Sequence, residues 1–282
     1  MTARTVLTVA ALTVREAARR RVLLALGALT LVLLSVSAYG FSRIDATFGG
    51  LTSGEARLVA SLVLNLVMFG LSLIAALGTA FLAGPTLSGE TESGIALAVL
   101  ARPVRRPAVL LGKWLGLVLF GSGFVAVAGL AQLLVVRVTT GYWPPEPLTG
   151  LALLAAQAAV LLTLALLLST AVSPMASGVV AVGLFGATWI GGVVGAFGEA
   201  LGNESVARIG TVSRMLLPTD GLWRGAMNAF QDPTLLVQFQ EAFKGHPFLS
   251  AAGLTPGYLG WAGLWVAIVL GLAAVSFQRK NL

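Results

Sequence analysis

Cysteine is absent from this chain of 282 residues, histidine occurs once, at His246, and only 10% of the positions are charged. No disulfide, thiol nucleophile or cysteine-based metal site can therefore be built within it. A single histidine holds a metal only where other ligands converge, and His246 reads as an ordinary loop residue. The shortage of charge excludes most soluble enzymes, whose domains are about one quarter charged. A phosphate-binding loop of the G-x-x-x-x-G-K-[ST] type is also missing, since Gly112-Lys113-Trp114 lacks both the preceding spacing and the hydroxyl residue. Any ATP hydrolysis coupled to this chain must occur on another polypeptide.

What remains is apolar. Hydrophobic residues make up 57% of the chain, mean hydropathy is +0.92, and the apolar residues lie in uncharged runs. A crossing of the bilayer needs about 20 such residues. Spans are expected near 22–39, 58–83, 112–136, 149–170, 175–197 and 258–277. The uncharged run from Pro147 to Gly198 is too long for one crossing, and Ser169-Thr170-Ala171-Val172-Ser173-Pro174 divides it. A cleaved signal peptide is the rival reading of the first span, because Arg19-Arg20-Arg21 precedes it. The long amino-terminal region and the five later spans favour a retained helix. The expected fold class is an all-α polytopic membrane protein with six transmembrane helices, residues 1–282 forming one transmembrane domain.

The formal charge of +7 is placed at the ends of these runs. The arginines are not gathered on a polar domain with interleaved aromatics, so nucleic acid is not an expected partner. With the amino terminus inside, Arg4, Arg15, Arg19, Arg20, Arg21, Arg102, Arg105, Arg106, Lys113, Arg279 and Lys280 fall on the inner side. Only Arg43, Arg57 and Arg137 lie in short outer connections, while Arg208, Arg214, Arg224 and Lys244 share one long outer stretch. This bias places both termini in the cytoplasm, and the expected location is the cell inner (cytoplasmic) membrane. Residues 1–21 read as an interfacial amphipathic helix or a cytosolic extension of the first span. Residues 198–257 read as a compact extracytoplasmic segment touching the membrane edge.

Within the spans no Asp, Glu, His, Lys or Arg lies away from the ends, which weighs against a proton-coupled carrier and an intramembrane enzyme. Asn65 and Gln157 are the most polar interior side chains and read as helix–helix hydrogen bonds or ligand contacts. Glycine is abundant in the fifth span, and small residues let helices approach where lipid supplies no hydrophobic drive. Gly183, Gly191 and Gly195 are the candidate contacts there, within the chain or with a second copy.

The most specific segment runs from Gly89 through Glu90, Glu92, Gly94, Leu97, Leu100, Arg102, Pro103, Arg105 and Arg106 to Leu110-Leu111-Gly112-Lys113. It reads as a short inner-face helix, with acids in its first turn where the helix dipole favours them and Pro103 as its stop. Arg105, Arg106 and Lys113 are expected at headgroup level. In this pattern of acids, glycine, Pro-x-x-Arg and Leu-Leu-Gly-Lys the chain resembles the ABC-transporter type-2 permease family. Within that family it is similar to the membrane subunit of the nitrous-oxide-reductase copper-maturation system. Ile95-Ala96 departs from the Thr-Leu that often follows the glycine.

The resemblance implies an ATP-driven exporter permease that pairs with a second copy. A separate nucleotide-binding subunit, carrying the ATP and magnesium, would dock on residues 84–107. Glu90, Glu92 and Gly94 would shape the docking helix, flanked by Arg102, Arg105 and Arg106. No catalytic residue, metal or cofactor is expected in this chain, and lipids are its other partners. An ATP-independent channel or membrane scaffold is the alternative.

Overall fold

The structure, a computed structural model, describes residues 2–48, 54–92, 106–232, 245–250 and 253–279. Among these residues there is no strand. The helices are α1 (Thr2–Ala17), α2 (Val22–Phe48), α3 (Gly54–Glu92), α4 (Arg106–Thr140), α5 (Pro147–Ser169), α6 (Pro174–Ala200), α7 (Glu204–Leu216), α8 (Thr219–Phe230) and α9 (Pro256–Arg279). Six of them, α2 to α6 and α9, are long and apolar enough to cross a membrane. In hydrocarbon only a helix or a closed barrel satisfies its own backbone groups, so apolar runs of this length become helices. The chain is a multi-pass membrane protein.

The six crossings alternate in direction. The described chain ends, the end of α3 and the start of α4 therefore share one end of the bundle, called proximal below, and α7 and α8 belong to the opposite, distal half. Two helices sit at the centre. In their most apolar stretches α3 and α5 are 61% buried, against 17% for α2 and α9. α5 touches α3, α4, α6, α8 and α9, and its Leu154, Leu161, Leu162 and Leu166 are sealed from all surroundings.

Local chemistry sets the helix ends. Pro147 and Pro174 open α5 and α6 at positions where a missing N–H costs nothing. Gly141, at φ +73°, releases the chain from α4. After α6, Gly202 at φ +68° reverses the chain. Asn203 then caps α7, its side chain accepting the Val206 N–H at 3.2 Å.

The reversal sends α7 back alongside α6. Gly198 meets Val206 and Ala207, Gly195 meets Gly210, and Gly191 meets Ser213. α8 then returns along α5, with Gly225 beside Leu153 and Phe230 against Gly150. The turn between them lies level with Thr188, whose hydroxyl is 3.1 Å from that of Thr219. Thr188 stands twelve residues before the end of α6, about 18 Å at the helical rise. Residues 204–230 are thus a helical hairpin inserted into the distal half of the bundle. This differs from the compact cap read from the sequence at 198–257. Apart from half-buried Arg224 and Asn228, every residue of α8 is buried.

Several polar groups at the hairpin's tip are paired within it or to its neighbours. Asp220, 2% exposed, accepts from Arg224 Nε at 2.9 Å, and Arg224 Nη2 donates to the Gly192 carbonyl at 2.6 Å. The last turn of any helix leaves carbonyls without partners. Here Tyr258 Oη donates to Arg214 O at 2.9 Å and Trp265 Nε1 to Leu216 O at 2.8 Å, so α9 closes the end of α7. Nearer the distal surface, Tyr142 Oη donates to Phe230 O at 2.9 Å. Burial first, with Asp232 adding to it, pushes the Tyr142 phenol above its usual range and keeps it a donor.

A methyl group at Gly195 would stand 2.5 Å from the Gly210 Cα, whereas at Gly183 it would meet nothing within 4 Å. Alanine gains about 1 kcal/mol over glycine in a helix interior, while overpacking against backbone costs about 1–3 kcal/mol. Gly195→Ala should therefore lower the thermal unfolding midpoint, and Gly183→Ala should leave it unchanged or raise it. Equal midpoints for the two variants would refute the α6–α7 contact.

Candidate coupling site

The connection between α3 and α4 carries the motif singled out by sequence. Its Gly94, Leu97, Leu100, Arg102, Pro103 and Arg105 lie outside the described residues. The backbone at Glu90 and Glu92 belongs to the last turn of α3, which runs unbroken from Gly54 through Pro85. The acids therefore do not open a separate helix at residue 89. A proline is tolerated inside a membrane helix where neighbouring groups compensate. Gly84 supplies the room for such a neighbour. A Cβ there would stand 2.5 Å from the Pro174 carbonyl oxygen and 2.7 Å from Ser177 Oγ, so the first turn of α6 presses against α3 at this point.

The other foot of the connection is Arg106, the first residue of α4. Its Nη1 donates to the Gln278 carbonyl at 3.1 Å, joining α4 to the end of α9. Two turns further, Lys113 is only 6% exposed. Its Nζ donates to the Thr86 carbonyl at 2.8 Å, a charge-assisted hydrogen bond of the stronger kind. The sequence reading set Lys113 at headgroup level; the structure turns it inward onto α3. A lysine's apolar stem packs in a crowded helix interface while its ammonium reaches a carbonyl.

Glycines on either side of this lysine let α1 in. At Gly112 a Cβ would stand 2.6 Å from Val9 Cβ and 2.8 Å from the Val6 carbonyl oxygen. At Gly116 it would stand 2.6 Å from the Ala10 carbonyl oxygen. Ala10, Thr13 and Ala17 form the buried side of α1, while Leu7 and Leu12 remain exposed. Two further bonds tie the same end together. Trp114 Nε1 donates to Thr163 Oγ1 at 2.9 Å, and Thr170 Oγ1 lies 2.8 Å from Ser276 Oγ. α1, α3, α4, α5, α6 and α9 are thus joined close to where α3 and α4 leave for the connection.

Among the described residues no three of His, Asp and Glu gather as metal ligands. His246 at the distal end accepts from the Phe248 N–H through Nδ1 at 3.2 Å, and burial lowers its pKa. The candidate glycines divide. Gly191 and Gly195 face α7 of the same chain, while Gly183 looks outward with open space around it. Sequence reasoning missed Thr86, Gln278, Trp114 and Thr163. The available signal was Lys113 itself, a cation lying just inside the third apolar run.

Six apolar helices define a multi-pass membrane protein. The family model described as ABC-2 family transporter protein matches residues 7–282, and the chain belongs to that family. It is the membrane permease component of an ABC transporter, a transport subunit rather than an enzyme, and the family implies an ABC ATPase as its partner. No curated protein matches the chain.

Lys113→Met keeps the stem and removes the ammonium. A hydrogen bond to a charged group contributes about 1.5–3 kcal/mol, so chemical unfolding in detergent should shift by that order. Lys113→Arg should restore part of the loss. A Met variant as stable as the parent would remove Lys113 from the joint between α3 and α4.

Proposed function

We propose that the chain is one half of an ATP-driven exporter of the inner (cytoplasmic) membrane, its proximal end facing the cytoplasm. Two copies pair, and each docks a separate nucleotide-binding subunit on residues 84–107, to which ATP and magnesium belong. The observation that carries this reading is the joint formed by Lys113, Arg106, Gly84, Gly112 and Gly116. A push on the α3–α4 connection reaches α3 and α4 together, and through Arg106 it reaches α9. The bias of Lys and Arg toward the proximal end supports its cytoplasmic placement. α1, with exposed Leu7, Leu12, Arg4 and Arg15, fits the inner interface, where lipid is its remaining partner.

Glu90, Glu92, Gly94, Leu97, Leu100, Arg102, Pro103, Arg105 and Arg106 form the docking segment in this reading, and Gly183 offers a contact to the second copy. The resemblance to the nitrous-oxide-reductase copper-maturation permease extends to topology and motif. It does not extend to copper as cargo, because Met227 is buried, Met215 is exposed and His246 is engaged with Phe248 N.

Co-purification with the ATPase encoded beside this chain tests the proposal. Glu92→Arg should weaken association about tenfold, the scale of ~1.4 kcal/mol, with membrane insertion intact. Undiminished binding of that variant refutes the docking assignment. Ion flux through the purified chain alone in liposomes would instead make it a channel.

A further inference from the structure

We propose that the point where α3, α4, α5 and α6 meet, midway along the bundle, is a binding site for a single water molecule. A cavity of about 10 Å³ lies there, lined by Ser72 and Ala75 of α3, Val125 of α4, Gln157 and Leu161 of α5 and Phe185 of α6. Among its lining residues only Ser72 and Gln157 carry polar side chains. Both are more than nine-tenths buried, at 5% and 4% exposure. Ser72 Oγ donates to Gln157 Oε1 at 3.0 Å, which uses the serine's proton and one face of the amide oxygen.

The remaining capacity of the pair is what calls for water. Gln157 Nε2 carries two N–H donors, and no acceptor among the described residues meets them. Ser72 Oγ retains lone pairs as well. A water molecule needs roughly 10–15 Å³ and two or more polar partners, whereas cavities that stay dry are lined by apolar groups alone. This cavity has the minimum volume and two convergent polar groups. Phe185, Leu161 and Val125, at 3%, 1% and 1% exposure, line it beside the polar pair.

Such a site changes how α3 and α5 are joined. The Ser72–Gln157 bond ties the two central helices at mid-depth. A water beside it gives each side chain a substitute partner if the helices shift, without leaving a bare polar group in hydrocarbon. That consequence rests on the exporter reading, in which α3 is the driven helix. The hydration itself does not.

Hydroxyl-radical footprinting by X-ray radiolysis of the full chain in lipid nanodiscs tests the site. Radicals generated from an internal water oxidise its neighbours, which bulk water cannot reach. Oxidation is expected at Leu161 and Phe185, and not at Leu110, which is equally buried away from the cavity. Gln157→Leu should abolish it. Ala75→Leu, which fills the void and keeps both polar side chains, should abolish it too, so that a folding defect in one variant does not decide the matter. No oxidation in the parent chain, oxidation in both variants undiminished from the parent's, or binding of pressurised xenon at this point would each overturn the proposal. None of these readouts involves the ATPase, so the site and the exporter reading fail separately.

Discussion

Inside hydrocarbon there is no water to accept a stray hydrogen bond, and the arrangement of this bundle follows from that constraint. Each crossing is a helix because a helix meets its own backbone needs. The exceptions are more informative. Where α7 stops within the distal half, the carbonyls of Arg214 and Leu216 are claimed by Tyr258 and Trp265 of α9. Where Asp220 enters the same region, Arg224 is one helical turn away to neutralise it. Lys113 obeys the same rule at the other end, on the Thr86 carbonyl. A buried charge deprived of its partner costs about 3–5 kcal/mol, so these pairs fix where helices end and which neighbours they keep.

The two ends of the bundle solve different packing problems with one device. Apolar side chains gain nothing by leaving lipid for protein, so close approach has to come from small residues. At the proximal end Gly84, Gly112 and Gly116 admit the first turn of α6 and the flank of α1. At the distal end Gly191, Gly192, Gly195 and Gly198 admit the returning hairpin. Between them run α3 and α5. The aromatic group of Phe69, Trp189 and Phe248, with Phe69 and Trp189 stacked at 4.7 Å, joins α3 to α6 and to the segment around residue 248. A displacement entering α3 at Thr86 therefore meets bonded neighbours at its proximal foot, at Ser72 and at Phe69.

Crossing number was legible in the sequence because length and absence of charge are local properties. All six runs became helices, including the pair divided at Ser169–Pro174. The inserted hairpin was not legible. Residues 204–230 carry Glu204, Arg208, Arg214, Asp220 and Arg224, a density of charge that reads as aqueous. Only the fold reveals that Asp220 and Arg224 neutralise one another and that Arg208 and Glu204 stay exposed at the entrance. The same blindness hid Lys113. A cation near the end of an apolar run has two solutions, outward to headgroups or inward to a carbonyl, and sequence does not choose between them. The glycine pair Gly191/Gly195 was visible as a contact surface, but its partner, α7, was not.

Burial was the least legible property, and the reason bears on function. α5 and α9 are both strongly apolar, yet one is central and the other faces outward, because lipid and protein interior reward the same side chains. What separates them is the partner each can admit. α5 offers Gly150 to Phe230, Gln157 to Ser72 and Thr163 to Trp114, three contacts to three different helices along its length. The outward glycines of α9, Gly257, Gly260, Gly263 and Gly271, meet nothing within 4 Å. A helix held at three heights is a poor candidate for independent movement, and α3 is held likewise, at its foot by Lys113 and the first turn of α6, at mid-depth by Ser72 and higher by Phe69 against Trp189. The two central helices are thus tied to each other and to their neighbours, and the lower end of α3 leads toward the segment on which the partner ATPase is proposed to act.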